Sequence, residues 1–390
     1  MRNENGLVEQ YISIHLRKIS LKKMLFIILG AIARLAAAVA AYLQLPVFGA
    51  APEGERLARI QQSPNYRDGK FQNLSDTPIL TGDNSALKST WNLLFNADKN
   101  VKPAAPVPSM KTDLHTLPQA RNWYVWLGHS SYLMQIDGKR FLIDPVLVSA
   151  SPVPFGGTPY AGADIYQPAD IPAVDYVIIS HDHYDHLDYG TLREIQPKIG
   201  KVISGLGVGA HLERWGFTPQ QLIELDWQEA VSLSPEIRLT ALPARHSSGR
   251  SIKQNQTLWA SFMLEAPSET VYIGGDSGYD PLFKEIGAAF PHISLAILEN
   301  GQYDKDWANI HFLPEHLVQV VHDLNPKRLL SVHNSKFTLA KHAWDEPMRL
   351  LSTAAERENL PLLTPKIGEV VYLDDENQVF EKWWEAVPAR

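Results

Sequence analysis

The chain has 390 residues, 45% of them hydrophobic and 20% charged, with a formal charge of −7 and no cysteine. It is too apolar for a disordered polymer and too acidic for a general nucleic-acid binder. Without a thiol it forms neither disulfides nor thiolate metal sites, so any metal must sit on His, Asp or Glu.

Residues 1–23 form a basic head, with Arg2, Arg17, Lys18, Lys22 and Lys23 against Glu4 and Glu9. An apolar run over residues 24–45 follows, interrupted by Arg34 and closed by Pro46. Its length is close to the roughly 20 residues of a bilayer-spanning helix. Three readings are open. One is a membrane anchor with the basic side cytoplasmic and the remainder translocated. A second is a cleaved signal sequence, for which Ala38-Val39-Ala40 supplies a small-x-small site. The third is an ordinary amphipathic or buried helix, admitted by Arg34; and a start at Met24 would leave the head without meaning. The first two make the protein membrane-anchored or exported, on the periplasmic side in a bacterium.

Residues 46–120 are rich in Pro, Gly, Asn and Asp and read as an extended wrapping segment, with a short helix over Leu87–Phe95. The main domain is expected over residues 121–390. Trp123–Leu127 reads as a strand. Tyr132–Ile136 and Phe141–Ile143 form a hairpin across Asp137-Gly138, and Asp144-Pro145 ends its second strand. Tyr176–Ile179, Leu239–Leu242, Val271–Ile273 and Leu329–Val332 read as strands. They lead to His181, His246, Asp276 and His333. Helices are predicted at Tyr189–Ile195, capped by Asp188, and at Pro314–Leu324. Strands alternating with helices predict an α/β protein, with its polar groups gathered at the strand ends. Trp383-Trp384 reads as core packing more readily than as a membrane-interface anchor.

Three of the 14 histidines fall within His181-Asp182-His183-Tyr184-Asp185-His186. Two imidazoles at i and i+2 after a strand can face one metal ion. Asp185 and His186, as the chain turns, can face a second. Zinc suits these N and O donors, and iron or manganese would also accept them. Asp182 is read as a turn-forming residue. Four ligands are too few for two metals, and His246, Asp276 and His333 are the candidates to complete the set.

The pattern His181-x-His183-x-Asp185-His186, with His246, Asp276 and His333, resembles the metallo-β-lactamase superfamily of binuclear hydrolases. Within it, the chain is similar to the phospholipases D that hydrolyse N-acyl-phosphatidylethanolamine and their bacterial relatives. The similarity runs from Trp126 to Leu360 and includes Trp126-Leu127-Gly128-His129, Asp144-Pro145, Pro243-Ala244-Arg245-His246, Gly274-Gly275-Asp276 and His311-Phe312-Leu313-Pro314. It implies an αββα sandwich of two mixed β-sheets flanked by helices. It also implies two zinc ions, one on His181, His183 and His246, the other on Asp185, His186 and His333, with Asp276 bridging. Asp144 would orient the site from behind the ligands. Tyr184 and His311 would lie near the substrate phosphate or leaving group, with Asp185, Asp276 and His311 as the catalytic residues.

Three blocks depart from the family pattern: Ser247, Glu299-Asn300-Gly301-Gln302-Tyr303 and Asn334-Ser335-Lys336. They spare the ligands and predict a more polar pocket wall. The implied activity is phosphodiester hydrolysis of an N-acyl-phosphatidylethanolamine-like lipid through a metal-bridging hydroxide. The substrate would be a phospholipid or small-molecule ester, with contact to the membrane through the N-terminal segment and none to nucleic acid. Two alternatives stand beside it: another hydrolase of the same fold (lactonase, thioesterase or cyclic-phosphodiester hydrolase), and a non-catalytic membrane-tethered metal-binding module.

Overall fold

The computed structural model describes residues 21–81, 88, 91, 98–153 and 156–388. The basic head up to residue 20 and most of the helix expected over Leu87–Phe95 lie outside them. Met1–Phe48 and Gly49–Arg390 form two compact units. In the first, α1 (Leu21–Tyr42) is a helix of about 33 Å, and its apolar side chains, Phe26 and Leu35 among them, are exposed. In the second, α2 (Gly54–Gln62) and a two-strand hairpin, β1 (Tyr66–Arg67) with β2 (Lys70–Phe71), punctuate the segment expected to be extended.

The first large sheet holds β3 (Trp123–Trp126), β4 (Tyr132–Ile136), β5 (Lys139–Ile143) and β6 (Val174–Ile179). After α3 (Tyr189–Ile195) come β7 (Ile199–Gly205), α4 (Gly209–Arg214) and β8 (Leu222–Leu225). The second sheet begins with β9 (Ala230–Ser232), β10 (Arg238–Leu242), β11 (Ser261–Glu265) and β12 (Thr270–Ile273). It continues through α5 (Leu282–Ala289), β13 (Leu295–Glu299), α6 (Pro314–Leu324) and β14 (Leu329–Val332). Last come α7 (Glu346–Glu358), β15 (Leu362–Leu363), which closes the second sheet, and β16 (Val370–Tyr372), which returns to the first. The orders are β16-β3-β4-β5-β6-β7-β8 and β15-β14-β13-β12-β11-β10-β9.

Asp137 and Gly138 turn the β4–β5 hairpin with φ of 47° and 75°. This doubly left-handed turn matches strand twist and favours an Asp-Gly pair. The side chain of Asp188 caps α3 by accepting from the amide of Gly190 at 2.9 Å. Alternate strand residues face opposite sides. Phe141, Ile143 and Ile178 of one sheet meet Leu239, Phe262, Val271, Ile273 and Ile297 of the other in the central core. Leu133, Leu142, Val177 and Ile179 face outward, packing with Leu192 and Leu212 of α3 and α4. Met263, Tyr272 and Ala296 pack with Phe283, Val320 and Leu351 of α5, α6 and α7. The result is an αββα sandwich. Trp383 and Trp384 lie in the central core, 2% and 3% exposed, so they are packing residues and not interface anchors.

Candidate metal centre

Strands of one direction deliver the polar residues. β3, β5 and β6 run the same way in the first sheet. β10, β12, β13 and β14 share a direction in the second. Just beyond the carboxyl ends of these strands come His129, Asp144, His181, His246, Asp276 and His333, while Glu299 is the last residue of β13. The two rims are joined where the amide of Ala260 donates to the carbonyl of Ser180 at 2.9 Å. His129, Asp144 and His333 have φ of 53°, 42° and 67°. That left-handed backbone turns the chain sharply off its strand at a cost of about 1–3 kcal/mol each.

The donor atoms form two groups that meet at one carboxylate. His181 Nε2 lies 2.9 Å from His183 Nδ1, which lies 3.2 Å from His246 Nε2. Asp185 Oδ2 lies 3.4 Å from His333 Nε2 and 3.7 Å from His186 Nε2. Asp276 Oδ2 stands between the groups, 3.1 Å from the Nε2 atoms of His186 and His333. The Nε2 atoms of His246 and His181 are 3.8 and 3.9 Å away.

These residues fit a pair of metal ions. Burial, reinforced by neighbouring imidazoles, holds His181 and His246 well below the ordinary histidine pKa, and burial lowers His183 too. All three are therefore neutral, as ligands must be. Burial also disfavours charge on His186 and His333, but Asp276 and Asp185 outweigh it. His186 is raised well above the ordinary value, and His333 is raised to about 10. For Asp276 and Asp185 burial works upward, and the surrounding imidazoles overcome it and hold both well below the usual carboxylate range. The carboxylates thus require positive charge at a place where bound protons or a cation can supply it. Among the described residues, the buried His186 Nε2 and Asp276 Oδ1 have no hydrogen-bond partner of good geometry, although His186 Nε2 faces Asp276 Oδ2 at 3.1 Å.

Groups behind the donors fix the rings. The carbonyl of Ile310 accepts from His246 Nδ1 at 2.8 Å, which places the proton there and leaves Nε2 its lone pair. Asp144 accepts from His186 Nδ1 at 2.8 Å and from the Ser180 hydroxyl at 2.6 Å. That hydroxyl is 3.0 Å from His181 Nδ1, so one carboxylate orients two histidines. His129, held neutral by burial with its pKa lowered to about 3, donates from Nε2 to Asp185 Oδ2 at 3.0 Å. Glu299 is a further residue the sequence left without a role. Its Oε2 accepts from His311 Nδ1 at 2.7 Å, while its Oε1 accepts from the amides of Ser277 and Phe312, each at 3.0 Å. The sequence signal for both was the one used elsewhere, a His or carboxylate at a strand end.

A cavity of about 290 Å³ opens over the site. His183, Asp185, Asp276, His311 and His333 form its polar side. Ile79, Leu80, Trp307, Ile310 and Leu339 form an apolar wall. Ile79 and Leu80 come from the wrapping segment. It is pinned where the Thr81 amide meets the Asp306 carbonyl at 2.8 Å, and where the Asn309 side chain meets the Pro78 carbonyl at 3.0 Å. A larger groove of about 720 Å³ lies away from the histidines, and there Arg328 and Glu269 pair at 2.8 Å.

Several expectations need correction. Of the departing blocks, Gln302 lines the cavity, but Asn334, Ser335 and Lys336 are buried and Ser247 does not line it, so the wall is chiefly apolar. The Asn334 side chain donates to the carbonyls of Val332 and Asn300. Lys336 Nζ donates to the carbonyls of Leu127 and Val146 at 3.2 and 2.9 Å. Tyr184 does not line the cavity either; its hydroxyl donates to the carbonyl of Arg250, whose guanidinium lies 4.2 Å from the ring centroid. Asp182 does more than turn the chain. It is buried, and its carboxylate takes three hydrogen bonds.

Residues 139–334 match the family model described as the beta-lactamase superfamily domain. An uncharacterised protein of Mycobacterium tuberculosis is 39% identical over 317 residues, spanning 80% of this chain and 85% of that one. The N-acyl-phosphatidylethanolamine-hydrolyzing phospholipase D 1 of Caenorhabditis elegans is 27% identical over 341 residues, spanning 81% and 93%. Among solved structures, a possible metal-dependent hydrolase from Veillonella parvula superposes with a TM-score of 0.52 at 17% identity, over 65% of this chain and 99% of that one.

Proposed function

This chain belongs to the beta-lactamase superfamily, and from that premise we propose that it is a binuclear metal-dependent phosphodiesterase acting on N-acyl-phosphatidylethanolamine-like lipids. The observation that carries the reading is the shared carboxylate. Asp276 Oδ2 lies within 4 Å of four imidazole nitrogens drawn from both donor groups. His181, His183 and His246 would hold one ion and Asp185, His186 and His333 a second, with Asp276 shared by both groups, so that each donor would be used once. Zinc fits the donor set. When bound, such a pair supplies Lewis acidity toward a phosphoryl oxygen and lowers the pKa of water toward neutrality.

The chain's own groups do the rest. Glu299 fixes the His311 ring through Nδ1, which leaves Nε2 as the nitrogen that can serve the cavity. Hydrolysis forms a bond from a water oxygen to phosphorus and breaks the phosphorus–oxygen bond to the leaving alcohol, and His311 Nε2 relays the proton lost by the water to that alcohol's oxygen. The apolar wall beside the polar floor receives acyl chains. The exposed apolar helix α1 keeps the enzyme at the membrane where such a substrate resides, or directs its export. The extended likeness to the nematode phospholipase D supports the substrate class.

The test is turnover by the zinc-loaded full chain in mixed micelles. N-acyl-phosphatidylethanolamine is compared with a generic phosphodiester and an aryl lactone. Release of phosphatidic acid by the wild type and not by Asp276→Asn is the expected result. Lactone or generic phosphodiester turnover with the lipid untouched would overturn the lipid assignment and leave the hydrolase.

A further inference from the structure

Within His181-Asp182-His183-Tyr184-Asp185-His186, the Asp182 carboxylate is directed behind the donors, to the loop between β10 and β11 and to α4. Its Oδ1 accepts from the amide of Gly249 at 2.6 Å. Its Oδ2 accepts from the Thr257 hydroxyl at 2.9 Å and lies 3.0 Å from His211 Nε2. The backbone carbonyl of Asp182 accepts from Arg250 Nη1 at 2.8 Å. Gly249 and Arg250 follow His246 by three and four residues. The contacts of this one residue therefore tie the loop carrying His181 and His183 to the loop carrying His246.

His211, in α4, is fixed from its other side. The amide of Ala50 donates to His211 Nδ1 at 3.0 Å, so the ring proton is on Nε2 and is given to Asp182. Gly49 allows that approach: a Cβ there would fall 2.0 Å from His211 Nδ1. Asp182, His211 and Thr257 are 2%, 5% and 1% exposed, so water does not substitute for these bonds.

We propose that Asp182 and His211 are positioning residues for the His181, His183 and His246 group, anchored to the chain at Gly49-Ala50. The inference rests on the metal-binding reading above. A group that orients metal ligands is typically worth about 10- to 100-fold in metal affinity. The loss here falls on one ion of two, because Asp185 is held by His129, His186 by Asp144, and His333 by the carbonyls of His129 and Gly301.

The test is competition between a chromogenic chelator and the full-length protein in detergent, with zinc alone as probe. Asp182→Asn and His211→Ala should each weaken one zinc by about 10- to 100-fold. The second zinc and the far-ultraviolet circular dichroism should stay as in wild type. His211→Gln, which keeps a donor toward Asp182, should restore much of the loss. Gly49→Ala, which presses on the ring without touching the histidine loops, should weaken the same ion. Wild-type affinity for both ions in Asp182→Asn and His211→Ala would overturn the proposal. So would equal loss of both ions with a lowered melting point of the zinc-free protein, which marks a structural role alone. A wild type that binds no zinc would overturn the functional reading as well, which separates the two failures.

Discussion

Glu299 Oε2 lies 2.7 Å from His311 Nδ1, joining the last residue of β13 to the loop that enters α6. The carboxylate is itself held by the amides of Ser277 and Phe312. Burial raises its pKa despite the opposing effect of His311. The imidazole is thereby held in one orientation at the edge of the cavity. His311→Ala should lower kcat by about 100-fold or more, the usual worth of a positioned acid. Glu299→Gln should lower it by about 10-fold with little change in KM. Steady-state kinetics on both variants checks this, and a larger effect on KM than on kcat would refute the assignment.

Asp276 is the carboxylate common to both donor groups. Asp276→Asn removes its charge and replaces one oxygen by an amide that cannot ligate through nitrogen. Activity should fall by about 1,000-fold or more, in line with the several kcal/mol that metal assistance supplies. Bound metal should fall below two per chain, while the circular dichroism spectrum is retained. Metal analysis beside turnover decides it. Near-normal turnover would remove Asp276 from the centre.

Lys336 is buried and held by two carbonyls, and burial lowers its pKa to about 8. An unfolded lysine keeps its proton to about pH 10.4. Between those values the unfolded chain binds more protons, so raising the pH favours the folded state. At about 1.4 kcal/mol per unit, this residue should add about 2 kcal/mol between pH 8 and pH 10. Denaturant unfolding of wild type and Lys336→Met across that window measures it. The wild type should gain relative to the variant as pH rises, and parallel curves would contradict the prediction.

Ile79 and Leu80 form part of the apolar wall although they lie over 100 residues before the first histidine of the cluster. The double substitution Ile79→Ser, Leu80→Ser should raise KM for a long-acyl lipid by about 30-fold, since two apolar contacts at about 1 kcal/mol each sum to about 2 kcal/mol. Turnover of a small generic phosphodiester should be unchanged. A matching loss on both substrates would show that these residues support the fold and not the acyl chain.

Local chemistry was legible directly. The Asp137-Gly138 hairpin, the Asp188 cap, α6 over Pro314–Leu324, and the placing of His181, His246, Asp276 and His333 beyond strands follow from short-range pattern. Each depends on φ/ψ preference or side-chain periodicity within a few residues. The small elements of the wrapping segment were hidden because α2 and the β1–β2 hairpin are short and lie among loop-forming residues.

The sequence by itself determined the donor types, their spacing and the α/β order of strands and helices. Tertiary structure decided which carboxylate serves which ring. Asp182 turns away from the cavity to meet His211, Glu299 reaches His311, and His129 reaches Asp185, across 29, 12 and 56 positions. It also decided that Lys336 is a buried brace and that Ile79 and Leu80 wall the cavity. A hydrogen bond or an apolar contact depends on distance in space, and the separation of these partners along the chain carries no trace of it until two sheets bring their strand ends to one rim.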